Sequence, residues 1–279
     1  IGPQFEARRC LANPGRFTGS GCKEQTEVDY QAANSPLNVT RVYRSDWGRF
    51  RHPFEIDLRL PGVKEGRQCI VDRVQDFGAA GPRCFTVLNP TQNNNGALLI
   101  AEDGVRDEFS WPGTSCASIS PQLKNLLSKS DVGGVDRWVV TRPSNNELLT
   151  FDASGNLERR TSADGTFVQW TRSGDQVTAA ADHFGRSIQF LSDSQGVNGF
   201  VDPAGQTVQY AYSAAAMQQL LTVTRQGNTQ RHYVWDEPTK ATGSGWPGPG
   251  ANRLTGIIDE GGARYASFEY VPARGASAH

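Results

Sequence analysis

The segments Asp182-His-Phe-Gly-Arg-Ser-Ile-Gln-Phe190 and Asp202-Pro-Ala-Gly-Gln-Thr-Val-Gln-Tyr210 lie 20 residues apart and match in register through Gly185 and Gly205. A third copy, Ser162-Ala-Asp-Gly-Thr-Phe-Val-Gln-Trp170, sits another 20 residues earlier and aligns through Gly165. Each unit has the chemistry of a turn feeding a strand. The aspartate opens the turn by bonding the backbone two residues on, and the glycine takes the positive-φ position that closes it. The strand alternates with period two: Phe167 and Gln169 share one face, Val168 and Trp170 the other, and Val208, Tyr210 and Tyr212 lie together. Asp152-Ala-Ser-Gly155, Asp193-Ser-Gln-Gly196 and Asp259-Glu-Gly-Gly262 supply further turns, the last followed by Tyr265, Phe268 and Tyr270. A hairpin that buries one face is marginal alone. A fixed repeat therefore predicts successive antiparallel hairpins, laid side by side over 150–270 into one extended, curved sheet.

Composition agrees with an all-β chain. Of 279 residues 37% are hydrophobic, and 30 Gly with 15 Pro break the chain too often for long helical stripes. The 28 basic and 29 acidic residues give a net charge of -1. Their signs are interspersed, which argues against a nucleic-acid footprint. No run approaches the roughly 18 apolar residues of a membrane-spanning helix. The opening Ile1-Gly-Pro-Gln-Phe5 has no basic-then-apolar signal, and a start on Ile1 points to residues upstream.

Residues 1–118 form an irregular N-terminal β module that holds all five cysteines, with strands expected at 24–30, 37–43, 54–60, 70–74, 85–88 and 97–101. Residues 119–279 form the repeat region. At the junction, Ser120 before Pro121 reads as a helix cap with Leu123, Leu126 and Leu127 on one face, which predicts a short helix over 121–129. Cys10 and Cys22 bracket a Gly/Pro-rich segment, and Cys69 and Cys84 flank the Gly78-Ala-Ala-Gly-Pro82 turn of an expected hairpin. Two disulfides, Cys10–Cys22 and Cys69–Cys84, are expected, with Cys116 left over; five reduced thiols are the alternative. No Cys-x-x-Cys spacing occurs and His52 is the one histidine near the cysteines, so a structural zinc site is not expected.

Catalytic signatures are missing from the sequence: there is no Gly-x-Ser-x-Gly elbow, His-Glu-x-x-His, phosphate-binding loop or dinucleotide fingerprint. His183 occupies a repeat turn where the sister copy has Pro203, which reads as an exposed turn residue. Nothing sets Glu158 and Asp164 apart from other surface acids. No catalytic, cofactor or metal residue is assigned, and no enzymatic activity is expected. Trp246, within Gly243-Ser-Gly-Trp-Pro-Gly-Pro-Gly250, is the tryptophan best placed for an exposed surface. It supports the alternative of a carbohydrate- or cell-surface-binding β module.

Asp-x-x-Gly turns leading into strands that end in aromatics resemble the YD repeats of bacterial Rhs-family proteins, and Leu254 to Tyr270 is similar to a typical segment of that family. At the front, Asn13-Pro14, Thr18-Gly19, Lys23, Thr26-Glu-Val-Asp-Tyr30 and Pro36-Leu-Asn-Val-Thr-Arg-Val-Tyr43 resemble the module that precedes such repeats. Arg51-His52-Pro53-Phe54 matches only partly the family's Trp-x-His-x-Tyr stretch. Asp202-Pro-Ala-Gly205 resembles the family's self-cleavage site, but an ordinary repeat strand follows it, so it is assigned to the fold. The resemblance implies a secreted or cell-surface scaffold: the first turns of a β-sheet shell that encloses a C-terminal toxin or effector. It also implies partners in the remaining repeats and that C-terminal domain, with a surface glycan or secretion component besides. Peptide mass mapping under non-reducing conditions should find the Cys10–Cys22 and Cys69–Cys84 linkages; five free thiols would remove both the bridges and the secreted assignment.

Overall fold

The computed structural model describes residues 24–45, 48–59, 96–101, 106–110, 115–117, 125–132, 135–174, 176–193, 196–214, 219–240 and 252–270. They are almost entirely antiparallel strands. β1 (Glu24–Gln31), β2 (Asn38–Arg44) and β3 (Arg49–Arg51) make a first small sheet. One 3-10 turn, Pro53–Glu55, leads into β4 (Asp57–Arg59), which joins β5 (Gly96–Ile100) and β6 (Arg106–Ser110) in a second.

Fourteen strands then follow as one open sheet in which sequence neighbours are spatial neighbours throughout. These are β7 (Ser115–Ala117), β8 (Leu126–Val132), β9 (Val135–Arg142), β10 (Glu147–Phe151), β11 (Leu157–Thr161), β12 (Phe167–Ser173) and β13 (Gln176–Asp182). The second half comprises β14 (Ser187–Asp193), β15 (Gly196–Val201), β16 (Thr207–Tyr212), β17 (Leu220–Thr224), β18 (Gln230–Trp235), β19 (Leu254–Ile258) and β20 (Arg264–Ser267). Among the described residues, no helix is long and apolar enough to cross a membrane.

One expectation is overturned. The segment read as a short helix over 121–129 runs as strand β8 from Leu126 onward, while 121–124 lie outside the described residues. Asn125 and Leu127 are buried while Leu126 between them is 50% exposed, the period-two alternation of a strand. Leu127 stands between Cys116 on β7 and Val140 on β9, so the backbone groups a helix would pair internally are paired across two ladders instead. The expected strand over 54–60 is also shorter, because Pro53 opens the 3-10 turn and pairing begins at Asp57. The hairpin expected over 69–88 lies outside the described residues.

The repeat turns have one geometry. In the turns opened by Asp152, Asp182, Asp202 and Asp259, the glycine N–H three residues on donates to the aspartate carbonyl. The aspartate Oδ1 accepts from the N–H groups two and four residues on, as Ala204 and Gln206 donate to Asp202 at 2.8 Å each. Ser162 replaces the aspartate in one copy, and Asp164 takes over by accepting from the Thr166 N–H and hydroxyl. The closing glycines have φ of +82°, +84°, +81°, +79° and +80° at 155, 165, 185, 205 and 262.

A second periodic feature does not show in the residue types. Register shifts fall between Thr171 and Arg172, Leu191 and Ser192, and Ala211 and Tyr212, with related ones at Thr150/Phe151 and Val234/Trp235. Each places an extra residue on the second strand of its hairpin close to the turn, which raises local twist there.

The sheet buries a single face. Val168, Trp170, Ile188, Phe200, Val208, Tyr210, Val223, Tyr233 and Ile257 point inward, while Gln169, Gln189 and Gln209 point out. The N-terminal strands cover the inward face. Phe54 packs edge-on against Phe190 with ring centroids 4.9 Å apart, and Tyr30 does the same against Phe200 at 6.5 Å. Leu58, Leu99 and Phe109 join Leu127, Leu149 and Phe151 in one continuous core that runs under both regions. At its middle, Leu58 N–H donates to Gly155 C=O at 3.1 Å. A Cβ at Gly155 would stand 1.8 Å from the Leu58 carbonyl oxygen, whereas one at Gly205 meets nothing within 4 Å.

Gly205→Ala should therefore cost only the left-handed backbone, about 1–2 kcal/mol. Gly155→Ala should cost a further ~1–3 kcal/mol because β4 must be pushed away. Denaturant midpoints of the two variants check this, and equal losses would show that β4 does not seat on that turn.

Candidate functional site

On β2 the period-two face that seats Val39 and Tyr43 in the core also carries Arg41, and all three are buried. β1 lies beside it with Gln25, Glu27 and Asp29 turned toward the hairpin sheet and Val28 turned to solvent, 53% exposed. This strand presents polar groups inward, the reverse of the usual pattern. The junction between module and sheet is consequently ionic at its centre.

Arg41 holds Asp29 through two bonds, Nε at 2.5 Å and Nη2 at 2.9 Å, and Nη2 also donates to Tyr233 Oη at 2.9 Å. Tyr210 Oη donates to Asp29 Oδ2 at 2.8 Å, and Arg225 Nη2 to Oδ1 at 3.0 Å. From there the charges continue to alternate. Arg225 bonds Glu260 at 2.6 Å, Glu260 accepts from Arg231 at 3.0 Å, and Arg231 closes on Glu27. Tyr265 and Gln25 complete the Glu27 end. Three guanidinium groups and three carboxylates thus alternate from the buried Arg41–Asp29 pair out through the partly exposed Arg225, Glu260 and Arg231 and back to the buried Glu27, drawn from β1, β2, the β17–β18 turn, β18 and the β19–β20 turn.

The Arg41 and Asp29 side chains are completely buried, so desolvation opposes both charges. Burial would raise the Asp29 pKa, yet Arg41, the Tyr210 hydroxyl and Arg225 outweigh it and hold the carboxyl below its ordinary value. Arg41 correspondingly stays charged, with its pKa pushed upward: burial opposes the cation and Asp29 more than compensates. Its Nη1 has no hydrogen-bond partner among the described residues. Instead the guanidinium lies 5.0, 5.2 and 5.4 Å from the ring centres of Phe50, Tyr233 and Tyr210.

Beside this pair sits His52, which precedes the 3-10 turn and is buried. Its ring stacks on Phe54 at 4.8 Å and tilts against Tyr210 at 5.5 Å. Glu55 accepts from the His52 N–H at 3.0 Å and pairs with Arg49 at 2.9 Å and Arg51 at 3.5 Å. A further clamp lies towards the chain end. Leu254 N–H donates to Tyr43 Oη at 3.0 Å, and Tyr270 Oη donates to Leu254 C=O at 2.8 Å.

The residues singled out from sequence are not gathered here. Cys10, Cys22, Cys69, Cys84 and Trp246 lie outside the described residues, and Cys116 is placed by its backbone alone, in β7. His183 follows Asp182 in the turn but is half-buried rather than exposed, its ring 3.9 Å from that of Phe184, and Glu158 pairs with Arg137 at 2.6 Å rather than with Asp164. The ionic junction itself escaped the sequence reading. Its one visible signal was Arg41 at a core register between Val39 and Tyr43. An open depression of about 570 Å³ over β14–β17 is lined by Leu191, Ser192, Asn198, Gln209, Ala211 and Thr224 together with Phe190 and Tyr210, with no carboxylate, amine, guanidinium or imidazole among them. Among the described residues no group of three or more His, Cys, Asp or Glu side chains is arranged to hold a metal ion. No protein-family model matches the chain, and no curated protein matches it.

Arg41→Met should cost about 3–5 kcal/mol, since it strands a buried carboxylate. Asp29→Asn combined with it should cost less than the sum of the two single changes. Asp29, with a lowered folded pKa, stabilises above its unfolded value of about 3.9 and ceases to do so as pH falls through the folded one. The acid limb of stability below about pH 4 should accordingly flatten in Asp29→Asn, as read by denaturation at stepped pH.

Proposed function

We propose that this chain is a non-enzymatic structural scaffold of the Rhs/YD-repeat type, secreted or at the bacterial cell surface. Its N-terminal module backs the first hairpins of a β-sheet shell that encloses or delivers a C-terminal toxin or effector. The observation that carries the proposal is the recurrence of one hairpin unit in three independent respects at 20-residue intervals: the Asp turn, the register shift, and the inward aromatic of Trp170, Phe190 and Tyr210. A unit built this way adds to its neighbour by backbone pairing alone, so the architecture extends without new design. Among the described residues β20 pairs on one side only, which leaves its other edge for a further strand.

A second reading, a carbohydrate- or cell-surface-binding module, draws on the open depression over β14–β17, whose amide and hydroxyl lining suits a neutral hydroxyl-rich ligand.

The structure of the product of the whole reading frame tests the scaffold. Further hairpins of the same period should pair onto β20 and surround a C-terminal domain, and the chain should show no hydrolase or transferase turnover. Catalysis abolished by one conservative substitution in a cleft would overturn the proposal. Glycan binding lost in Gln209→Ala or Trp246→Ala would favour the second reading.

A further inference from the structure

We infer that His52 is the acid-sensitive element of the junction, and that a proton taken up there loosens β1–β3 from β14–β18 while β4 keeps the module tethered. The inference stands first on geometry. The His52 imidazole is 5% exposed and held between the Phe54 and Tyr210 rings. Its Nδ1 is buried with no hydrogen-bond partner among the described residues. A proton on Nδ1 would be a donor with no acceptor among the described residues, and the added charge would sit in a largely desolvated site.

The charged surroundings offset that cost only in part: Glu55 and Asp29 favour an added proton, while Arg41 and Arg49 oppose it. Arg41 comes from β2, Arg49 and Arg51 from β3, Glu55 from the 3-10 turn and Asp29 from β1. The hairpin sheet adds Arg172 from β12, which bonds the Phe54 carbonyl at 3.1 Å, and Arg225 at the end of β17. It also contributes the neutral phenols of Tyr210, Tyr212 and Tyr233, whose pKa values burial pushes upward. Both carboxylates are already engaged: Asp29 with Arg41, Arg225 and Tyr210, and Glu55 with Arg49, Arg51 and the His52 N–H. An imidazolium would join this cluster as an additional cation without a free anion.

The direction of coupling follows. Burial, opposed by Glu55 and Asp29 and supported by Arg41 and Arg49, lowers the His52 pKa from 6.5 to about 4 in the docked state. A group depressed in this way binds a proton in the undocked state first, so docking weakens as pH falls from about 6.5 towards 4. Between pH 7.5 and pH 5 the undocked-to-docked ratio should rise about thirty-fold. Glu55 and Asp29 act in a different window. Their pKa values are lowered, Glu55 to about 2, so they remain ionised while docked and their contribution fades only below about pH 4.5.

Hydrogen exchange of the 279-residue chain at pH 7.5 and pH 5.0, corrected for intrinsic rates, tests the latch. Peptides from β1, β2 and the 3-10 turn should open about thirty-fold more at pH 5.0, while those from β8–β11 keep their protection. In His52→Phe, which retains the stack and removes the base, the difference should vanish. A thirty-fold rise that persists in His52→Phe, or a rise spread evenly over β8–β11, would overturn the inference. Should the variant fail to fold, a carbon-13 titration of the His52 imidazole in the unaltered chain decides: titration near 6.5 with the module still docked also overturns it.

Discussion

The fold depends on a charge that has nowhere else to go. Arg41 is completely buried at the point where the N-terminal module meets the hairpin sheet, and Asp29, the anion that makes this tolerable, is itself completely buried. Removing either partner exposes the other to the full desolvation cost, so the module and the sheet at their junction behave as one structure. The phenols of Tyr210 and Tyr233 matter because they come from the sheet, not the module. Without the sheet Asp29 and Arg41 are under-coordinated; without the module the inward faces of β14–β18 lose their cover.

That interdependence answers a problem set by the repeat itself. Each hairpin buries one face and turns a row of glutamines outward, so pairing solves the backbone requirement but leaves a broad apolar surface uncovered. Register shifts recur at constant spacing along the sheet, each a point where local twist increases. The two small sheets and the segment between them then fill the inward side, β1–β3 over the later strands and β4–β6 over the earlier ones.

What the sequence disclosed follows from which forces are local. The Asp and Gly turns are legible because their hydrogen bonds close within five residues, as from Asp202 to Gln206, and the inward faces are legible because alternation maps directly onto burial. The register shifts leave no residue-type signature, since Thr171, Leu191 and Ala211 have little in common. The leucines at 123, 126 and 127 satisfy a helical spacing, and only the presence of β7 and β9 on either side decides for a strand. The ionic junction joins Asp29 to Arg225 across 196 positions, which no local pattern records. Arg41 gave the single hint, a cation in a core register that demands a buried anion somewhere.

A covering module meets one further difficulty on a repetitive sheet, which is to choose its station. Trp170, Phe190 and Tyr210 succeed one another as inward aromatics, so an apolar cover would find a similar wall at every step of 20 residues. The polar contacts differ from step to step. A module displaced by one unit would put Asp29 opposite Phe190, which has no hydroxyl to donate. It would also face Asp202, which opens its turn in the position that Arg225 holds in the next: Asp202 N–H bonds the Gln206 carbonyl and Arg225 N–H bonds the Thr229 carbonyl, each at 2.9 Å. Asp29 would then meet a carboxylate in place of a guanidinium, with Arg41 still beside it but the chain to Glu260 broken. Ser35, which now donates to Asp182 at 2.6 Å, would face the hydroxyl of Ser162 instead. Like charge at the wrong station and complementary charge at the right one discriminate where shape does not. The buried ions therefore fix where the module sits, and the apolar core determines how firmly.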